Sequence, residues 1–161
     1  MRISSIAAIA KGSRAIGNKG AIPWQIPEDM KRFKEFTLNH PVIMGKKTWE
    51  SLPEKFRPLP GRTNIIMNND GELKAEGAFI VSTFDEAIKA ASEAKGSEEI
   101  FVIGGGQIYN FTLPYVERLY LTIVDQKIET ADTFFPAYED KFKVVSQEDH
   151  DGFSFQIWER K

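Results

Sequence analysis

Short apolar runs alternate along the chain with stretches whose apolar residues recur every three or four positions, and that alternation sets the predicted elements. "ISSIAAIA" (3–10) reads as a buried strand of small residues. Residues 11–24, "KGSRAIGNKGAIPW", carry Gly12, Gly17, Gly20 and Pro23 and read as a long loop. A helix starting near Pro27 places Ile26, Met30, Phe33 and Phe36/Thr37 along one stripe. Glu28, Lys31, Arg32, Lys34 and Glu35 are assigned to the opposite face, but Asp29, four residues before Phe33, falls on the apolar side. "PVIMG" (41–45) is a strand and "KKTWESL" (46–52) a helix, followed by strands at 62–68 and 77–82. "TFDEAIKAASEAK" (83–95) opens with Thr83 and Glu86 at capping-box spacing, a helix start. "EIFVIGG" (99–105), "GQIYNFTL" (106–113) and "RLYLTIVDQ" (118–126) read as strand, helix and strand. Strands "FKVVSQ" (142–147) and "FSFQIWER" (153–160) flank "EDHDG", a hairpin signal. The pattern predicts an α/β fold with a mostly parallel sheet and an antiparallel hairpin at its edge.

A length of 161 residues implies one domain, and no repeat or low-complexity tract divides it. A net charge of −2 offers no global field for nucleic acid or an anionic membrane. No apolar run approaches the roughly 18 residues of a membrane span. The first residues, with Ser4 and Ser5 breaking the apolar run, read as a core strand and not a secretory leader. The expected compartment is therefore the cytoplasm, and the expected state a monomer. With no cysteine, disulfides, thiolate metal sites and cysteine nucleophiles are excluded.

The catalytic inventory is narrow. His40, before Pro41, and His150, in the hairpin turn, read as surface residues, and no metal-ligand spacing or nucleophile elbow is present. Chemistry must use carboxylates, hydroxyls, backbone groups and a bound cofactor. Gly104, Gly105 and Gly106 lie between a strand and a helix, where bare backbone can approach a pyrophosphate. Three consecutive glycines cost conformational entropy, which favours ligand contact over a plain tight turn. Lys46, Lys47 and Thr48 open a helix after Gly45, an unfavourable place for cations that a bound anion would relieve. Taken alone, they read as an ordinary solvated basic pair. Arg62 follows a proline-fixed loop, a setting for carboxylate recognition or for an ordinary strand-flanking arginine. Asp29 is either a first-turn acid placed for the helix dipole or a carboxylate at the floor of an apolar cleft, and spacing leaves both open.

Together "ISSIAAIA", "IGNKGAIPW", "PEDMKRFKEFT", "PVIMGKKTWESL", "RPLPGRTNII", "FVIGGGQIY", "LYLTIVD" and "DTFFP" resemble, in order and over essentially the whole chain, dihydrofolate reductase of the bacterial chromosomal type. The resemblance implies a single domain (1–161) with four helices around the sheet and an adenosine-binding subdomain over about 39–95. It implies NADPH-dependent reduction of 7,8-dihydrofolate to tetrahydrofolate for one-carbon metabolism. Asp29 matches the active-site acid, which would bond the pterin and promote protonation of its ring nitrogen, with Thr122 supporting it and Trp24 placing a water. Ile6, Ala8, Met30, Phe33, Leu52, Leu59 and Ile103 would line the folate pocket. Arg62 would take the glutamate tail's α-carboxylate, and Tyr109 would sit near the nicotinamide. Ala8 and Ile16 would meet the nicotinamide amide through backbone. Gly105, Gly106, Gln107, Lys47 and Thr48 would cradle the pyrophosphate, and Gly104–Gly105 would carry a cis peptide. Lys46 would meet the 2′-phosphate beside Asn68 and Asn69. Residues 11–24 would form a lid clasped by Asp132. Antifolate inhibitors are expected ligands. Lys46 and the Asn68–Asn69 pair depart from the commoner arginine and small hydroxyl residues. A riboflavin-pathway pyrimidine reductase would share sheet and cofactor site but not the set Trp24, Asp29, Phe33 and Arg62. A nucleotide-binding module without catalysis would have no reason to put an acid on the apolar face.

Overall fold

The computed structural model describes residues 1–17 and 24–161. Eight strands form one sheet: β1 (Arg2–Ala10), β3 (Pro41–Gly45), β4 (Thr63–Met67), β5 (Phe79–Val81), β6 (Glu99–Gly104), β7 (Arg118–Val124), β9 (Phe142–His150) and β10 (Phe153–Arg160). Their spatial order is β5-β4-β3-β6-β1-β7-β10-β9. The pairs from β5 through β7 are parallel, and β10 runs antiparallel to both β7 and β9. The helices are α1 (Pro27–Thr37), α2 (Lys46–Ser51), α3 (Phe84–Ser92) and α4 (Gly106–Thr112). The mixed, mostly parallel sheet with four helices and an antiparallel C-terminal hairpin is the architecture the pattern implied.

Apolar runs become central strands because both faces are covered. Val42, Ile43 and Met44 of β3 and Ile100, Phe101 and Val102 of β6 are buried. β1 carries two buried serines, and Ser4 satisfies its hydroxyl by donating to Glu99 Oε2 at 2.7 Å. α3 begins as its capping box requires: Thr83 Oγ1 accepts from the Glu86 amide at 3.1 Å.

Several expectations need correction. The segment 11–24 is not wholly loop, since β2 (Ala15–Gly17) pairs with β8 (Thr133–Phe134); residues 18–23 lie outside the described residues. The hairpin turn is shorter than "EDHDG". β9 continues through His150, and only Asp151–Gly152 turns, with Gly152 at φ 86° as an Asp-Gly turn needs. His150 is therefore a strand residue stacked on Phe153, with ring centroids 4.9 Å apart. His150 remains exposed as expected, but His40 is not a plain surface residue. Its Nδ1 lies 2.8 Å from the Gly96 carbonyl oxygen and its ring meets Phe101 edge-on. That approach requires Gly96, whose φ is 79° and where a Cβ would stand 1.7 Å from the Asn39 oxygen.

Two corrections fall on α1. Met30 is 67% exposed and leaves the packed stripe, while Arg32, assigned to the solvent face, is half-buried. At about 100° per residue, Met30 stands a quarter-turn from Asp29, whereas Arg32 lies on the side of Asp29 and Phe36. Position on the wheel, not residue class, decides what each side chain meets.

Candidate active site

One end of the sheet gathers the chemistry. In the β1–β7 register Ile6 stands beside Tyr120 and Ala8 beside Thr122. α1 crosses this end with Pro27 at its first turn, a position where proline's missing amide costs nothing. Asp29 in that turn accepts a 2.5 Å hydrogen bond at Oδ1 from the Thr122 hydroxyl. Burial raises the Asp29 carboxyl above its ordinary value, against the Thr122 bond and the Arg32 charge, which both pull it down. The walls are apolar: Ile6, Leu59, Ile103 and Tyr120 form one buried cluster, with Phe33, Phe36 and Leu52 packed against it. Trp24 is buried behind the helix start, and its Nε1 has no acceptor among the described residues. Tyr109, from α4, is buried and donates to the Ile6 carbonyl at 2.7 Å. Burial, and next the Asp29 charge, push its hydroxyl far up, so it stays a neutral donor.

Arg62 is held by a rigid frame. Asn64 is buried and ties the preceding loop together: its Oδ1 accepts from the Leu59 amide, and its Nδ2 donates to the carbonyls of Leu59 and Arg62. Arg62 donates through Nε to Pro60 O at 2.9 Å and through Nη1 to Thr37 Oγ1 at 3.1 Å, while Thr37 donates to Phe33 O. Its guanidinium carbon lies 6.0 Å from the Phe33 ring centroid. It forms no ion pair among the described residues, so a half-buried cation on the cleft wall remains open to a carboxylate.

A second cradle forms where β3 and β6 run side by side, with Met44 in register with Gly104. The helices that follow, α2 and α4, start next to one another. A Cβ on Gly105 would stand 3.4 Å from Thr48 Oγ1, and one on Gly106 would stand 2.6 Å from Thr133 Cγ2 and 3.9 Å from Ile16 Cδ1. The Gly104–Gly105 peptide is cis, as expected. Lys47 and Gln107 are exposed in the two first turns. Bare backbone, a hydroxyl and a free lysine suit a pyrophosphate, so this donor set fits a dinucleotide.

Farther along, Lys46 Nζ lies 3.4 Å from Asp70 Oδ2, and Asn68 donates to the other Asp70 oxygen at 2.8 Å. The Glu72 amide, Asn68 and Lys46 hold the Asp70 carboxyl down at about 2. Asn69 is exposed. Asp132 donates its amide to Gly17 O at 3.1 Å and accepts from the Thr133 hydroxyl at 2.9 Å, which places it against β2. No group of metal-binding side chains occurs among the described residues, and no described helix is long and apolar enough to cross a membrane.

The structure thus sets Asp29 on Thr122, packs Ile6, Phe33, Leu52, Leu59 and Ile103 into one apolar cluster, places Trp24 in a separate cluster with Ala8 and Ile26, and brings Thr48 near Gly105 and Ile16 near Gly106. Sequence reading missed Thr37, Asn64, Arg32 and Asp70. A polar residue inside "TNIIM" marked Asn64, and the three-residue spacing from Asp29 marked Arg32. Thr37, a polar residue at the end of the apolar stripe, was marked by its position, while nothing local marked Asp70.

A family model described as dihydrofolate reductase matches residues 2–160. Among curated proteins the chain is 41% identical over 133 residues to a dihydrofolate reductase of Mycobacterium tuberculosis, covering 81% of this chain and 78% of that one. It is 44% identical over 139 residues to a dihydrofolate reductase of Neisseria meningitidis, covering 86% and 82% of the two chains. A protein of Haloferax volcanii named dihydrofolate reductase HdrB is 39% identical over 166 aligned residues, covering 100% of this chain and 84% of that one.

Proposed function

The chain belongs to the dihydrofolate reductase family, and from that premise we propose how its own residues reduce 7,8-dihydrofolate to tetrahydrofolate with NADPH. The observation that carries the reading is Asp29, a carboxyl oriented by Thr122 at the floor of an apolar cleft. The pterin lies between Ile6, Ala8, Phe33, Leu59 and Ile103, with Leu52 and the exposed Met30 at the rim. Asp29 accepts hydrogen bonds from its amino group and ring nitrogen, and Thr122 fixes the carboxylate's direction. Because burial favours the neutral carboxyl, Asp29 holds its proton to higher pH than a free carboxyl and promotes protonation of the pterin ring nitrogen. The unpartnered Trp24 N–H is available to orient the water that passes that proton. Arg62, waiting with no ion pair among the described residues, takes the α-carboxylate of the glutamate tail.

NADPH, when bound, supplies the hydride. Thr48, Lys47, Gln107, Gly104, Gly105 and Gly106 would hold its pyrophosphate, Ala8 and Ile16 its nicotinamide amide, and Lys46, Asn68 and Asn69 its 2′-phosphate, with the adenosine over about 39–95. Tyr109 closes the wall between the two clefts. Asp132 anchors the 15–17 end of the proposed lid through Gly17, which excludes water during transfer. We place the enzyme in the cytoplasm as a monomer and expect antifolates to compete at the Asp29 cleft.

The test is NADPH oxidation by the purified chain with dihydrofolate present, absent, or replaced by a riboflavin-pathway pyrimidine. Oxidation only with dihydrofolate supports the reading. A folded protein that turns over the pyrimidine, or nothing, overturns it. Arg62, held beside Phe33 without an ion pair among the described residues, favours the folate over the pyrimidine, which has no tail carboxylate for it.

A further inference from the structure

Arg32 is the one cation that α1 turns inward. Three positions after Asp29, it lies on the same side of the helix. Its guanidinium carbon sits 4.3 Å from the centroid of Phe155 on β10 and 5.2 Å from that of Phe36 on its own helix. Its Nη1 points at the Leu121 carbonyl oxygen, 3.5 Å away. Leu121 immediately precedes Thr122, whose hydroxyl holds Asp29. Two rings and one carbonyl therefore clamp the guanidinium between α1, β7 and β10. A lone surface arginine keeps its rotamer freedom and a screened charge. This one has little freedom, and half of its surroundings exclude water.

Resting on the reading of Asp29 as the proton-handling acid, we propose that Arg32 is a positioning residue that sets the protonation of Asp29 as a fixed positive charge, and that Glu148 on β9 moderates it. The groups around this pair are few. On β7 stand the Thr122 hydroxyl and Tyr120; on α4 stands Tyr109; β10 contributes the uncharged Phe155, and β1 the uncharged Ile6 and Ala8. The positive charge of Arg32 holds Asp29 down against the burial that raises it, and Asp29 and Glu148 both attract the Arg32 charge. Glu148 Oε1 is also 2.9 Å from His150 Nε2, so the hairpin carries the counter-charge to Arg32 on its open side. Burial alone would raise the Asp29 carboxyl further, with only the Thr122 bond to oppose it. The clamped arginine restores an ionised fraction that can bond the pterin tightly, without a direct ion pair that would hold the carboxylate away from it.

The test reads the acid itself. In the ligand-free protein the Asp29 carboxyl carbon is titrated by NMR, alongside the pH dependence of hydride transfer, in the parent and in Arg32→Leu, Arg32→Lys and Glu148→Gln. Arg32→Leu should move the midpoint up by about half a pH unit to one unit. Arg32→Lys, which keeps the charge, should stay near the parent. Glu148→Gln should move it down by a few tenths, because a negative charge beside the pair is removed. The limb of the rate profile should shift in step. An unmoved midpoint in folded Arg32→Leu overturns the proposal, as does a shift in Arg32→Lys as large as in Arg32→Leu, which would mean packing and not charge. An upward shift in Glu148→Gln also overturns it, and that variant leaves the clamp intact if the leucine fails to fold. A parent that turns over no dihydrofolate defeats the reading of Asp29 as the catalytic acid, but the titration still reports whether Arg32 governs the carboxyl.

Discussion

Asp29→Asn should cost the enzyme its turnover and make the protein more stable. The sign follows from the raised carboxyl. Burial pushes Asp29 up, and it wins over the Thr122 bond and the Arg32 charge, which both pull down. The direction is therefore the net cost of holding the ion in the cleft, with its favourable contacts already counted. In the unfolded chain the carboxyl has its ordinary value. Below that value it is neutral in both states and contributes no pH dependence. As pH rises through its value in the folded protein, the native state pays to ionise, and the stability present at acid pH is lost. Asparagine is never charged, so its advantage is near zero in acid and complete once pH has passed the carboxyl's value in the folded protein. Each tenfold preference for the neutral form is about 1.4 kcal/mol. Asparagine keeps an oxygen for the Thr122 hydroxyl, so only the charge-assisted part of that bond disappears. The advantage therefore shows as a higher Tm and a higher urea midpoint for asparagine at neutral pH, shrinking toward nothing in acid. Urea and thermal unfolding of ligand-free parent and variant from pH 8 down to pH 5 would measure it. A variant less stable than the parent at pH 7, or an advantage that grows as pH falls, would refute the reasoning, because either would mean the carboxylate is paired and not stranded.

Three further outcomes are expected. Arg62→Ala should weaken dihydrofolate binding by at least about thirtyfold, from a half-buried carboxylate losing its partner, while a pterin without the tail changes little; equal losses in a binding titration would count against that contact. Asp70→Asn should tighten NADPH severalfold without changing NADH, since Lys46 would be released toward the 2′-phosphate and a nearby negative charge removed. Cofactor titrations by fluorescence would decide it, and equal effects on both cofactors would place the phosphate elsewhere. Thr83→Ala should lower stability by about 1 kcal/mol in urea unfolding with kinetics unchanged, because the Glu86 amide loses its cap far from the cleft; a loss below about 0.3 kcal/mol would mean water replaces the cap.

What the chain's pattern carried and what it did not divide along one physical line. Elements whose burial is decided locally were legible: the apolar runs of β3 and β6, the cap of α3, the Pro27 start of α1. β2 was not, because a three-residue strand exists only through its pairing with Thr133–Phe134, a partner no local period announces. The proposed phosphate cradle could be read in the sequence as two separate glycine turns but not as one place. It becomes one only because β3 lies beside β6, which sets Gly104 against Met44 and brings Thr48 within reach of Gly105. The errors on α1 share a different cause. Sorting residues by class puts methionine inside and arginine outside, but a helix sorts them by angle, and the angle only acquires meaning when something packs there. Met30 stays exposed. For Arg32 the ring of Phe155 arrives from the last strand and makes a guanidinium the better neighbour. The residue that looked out of place, Asp29, and the one that looked ordinary, Arg32, are thus explained by the same contact: the hairpin that closes the sheet supplies the ring that holds the cation, and the cation limits how far the buried acid can drift toward neutrality.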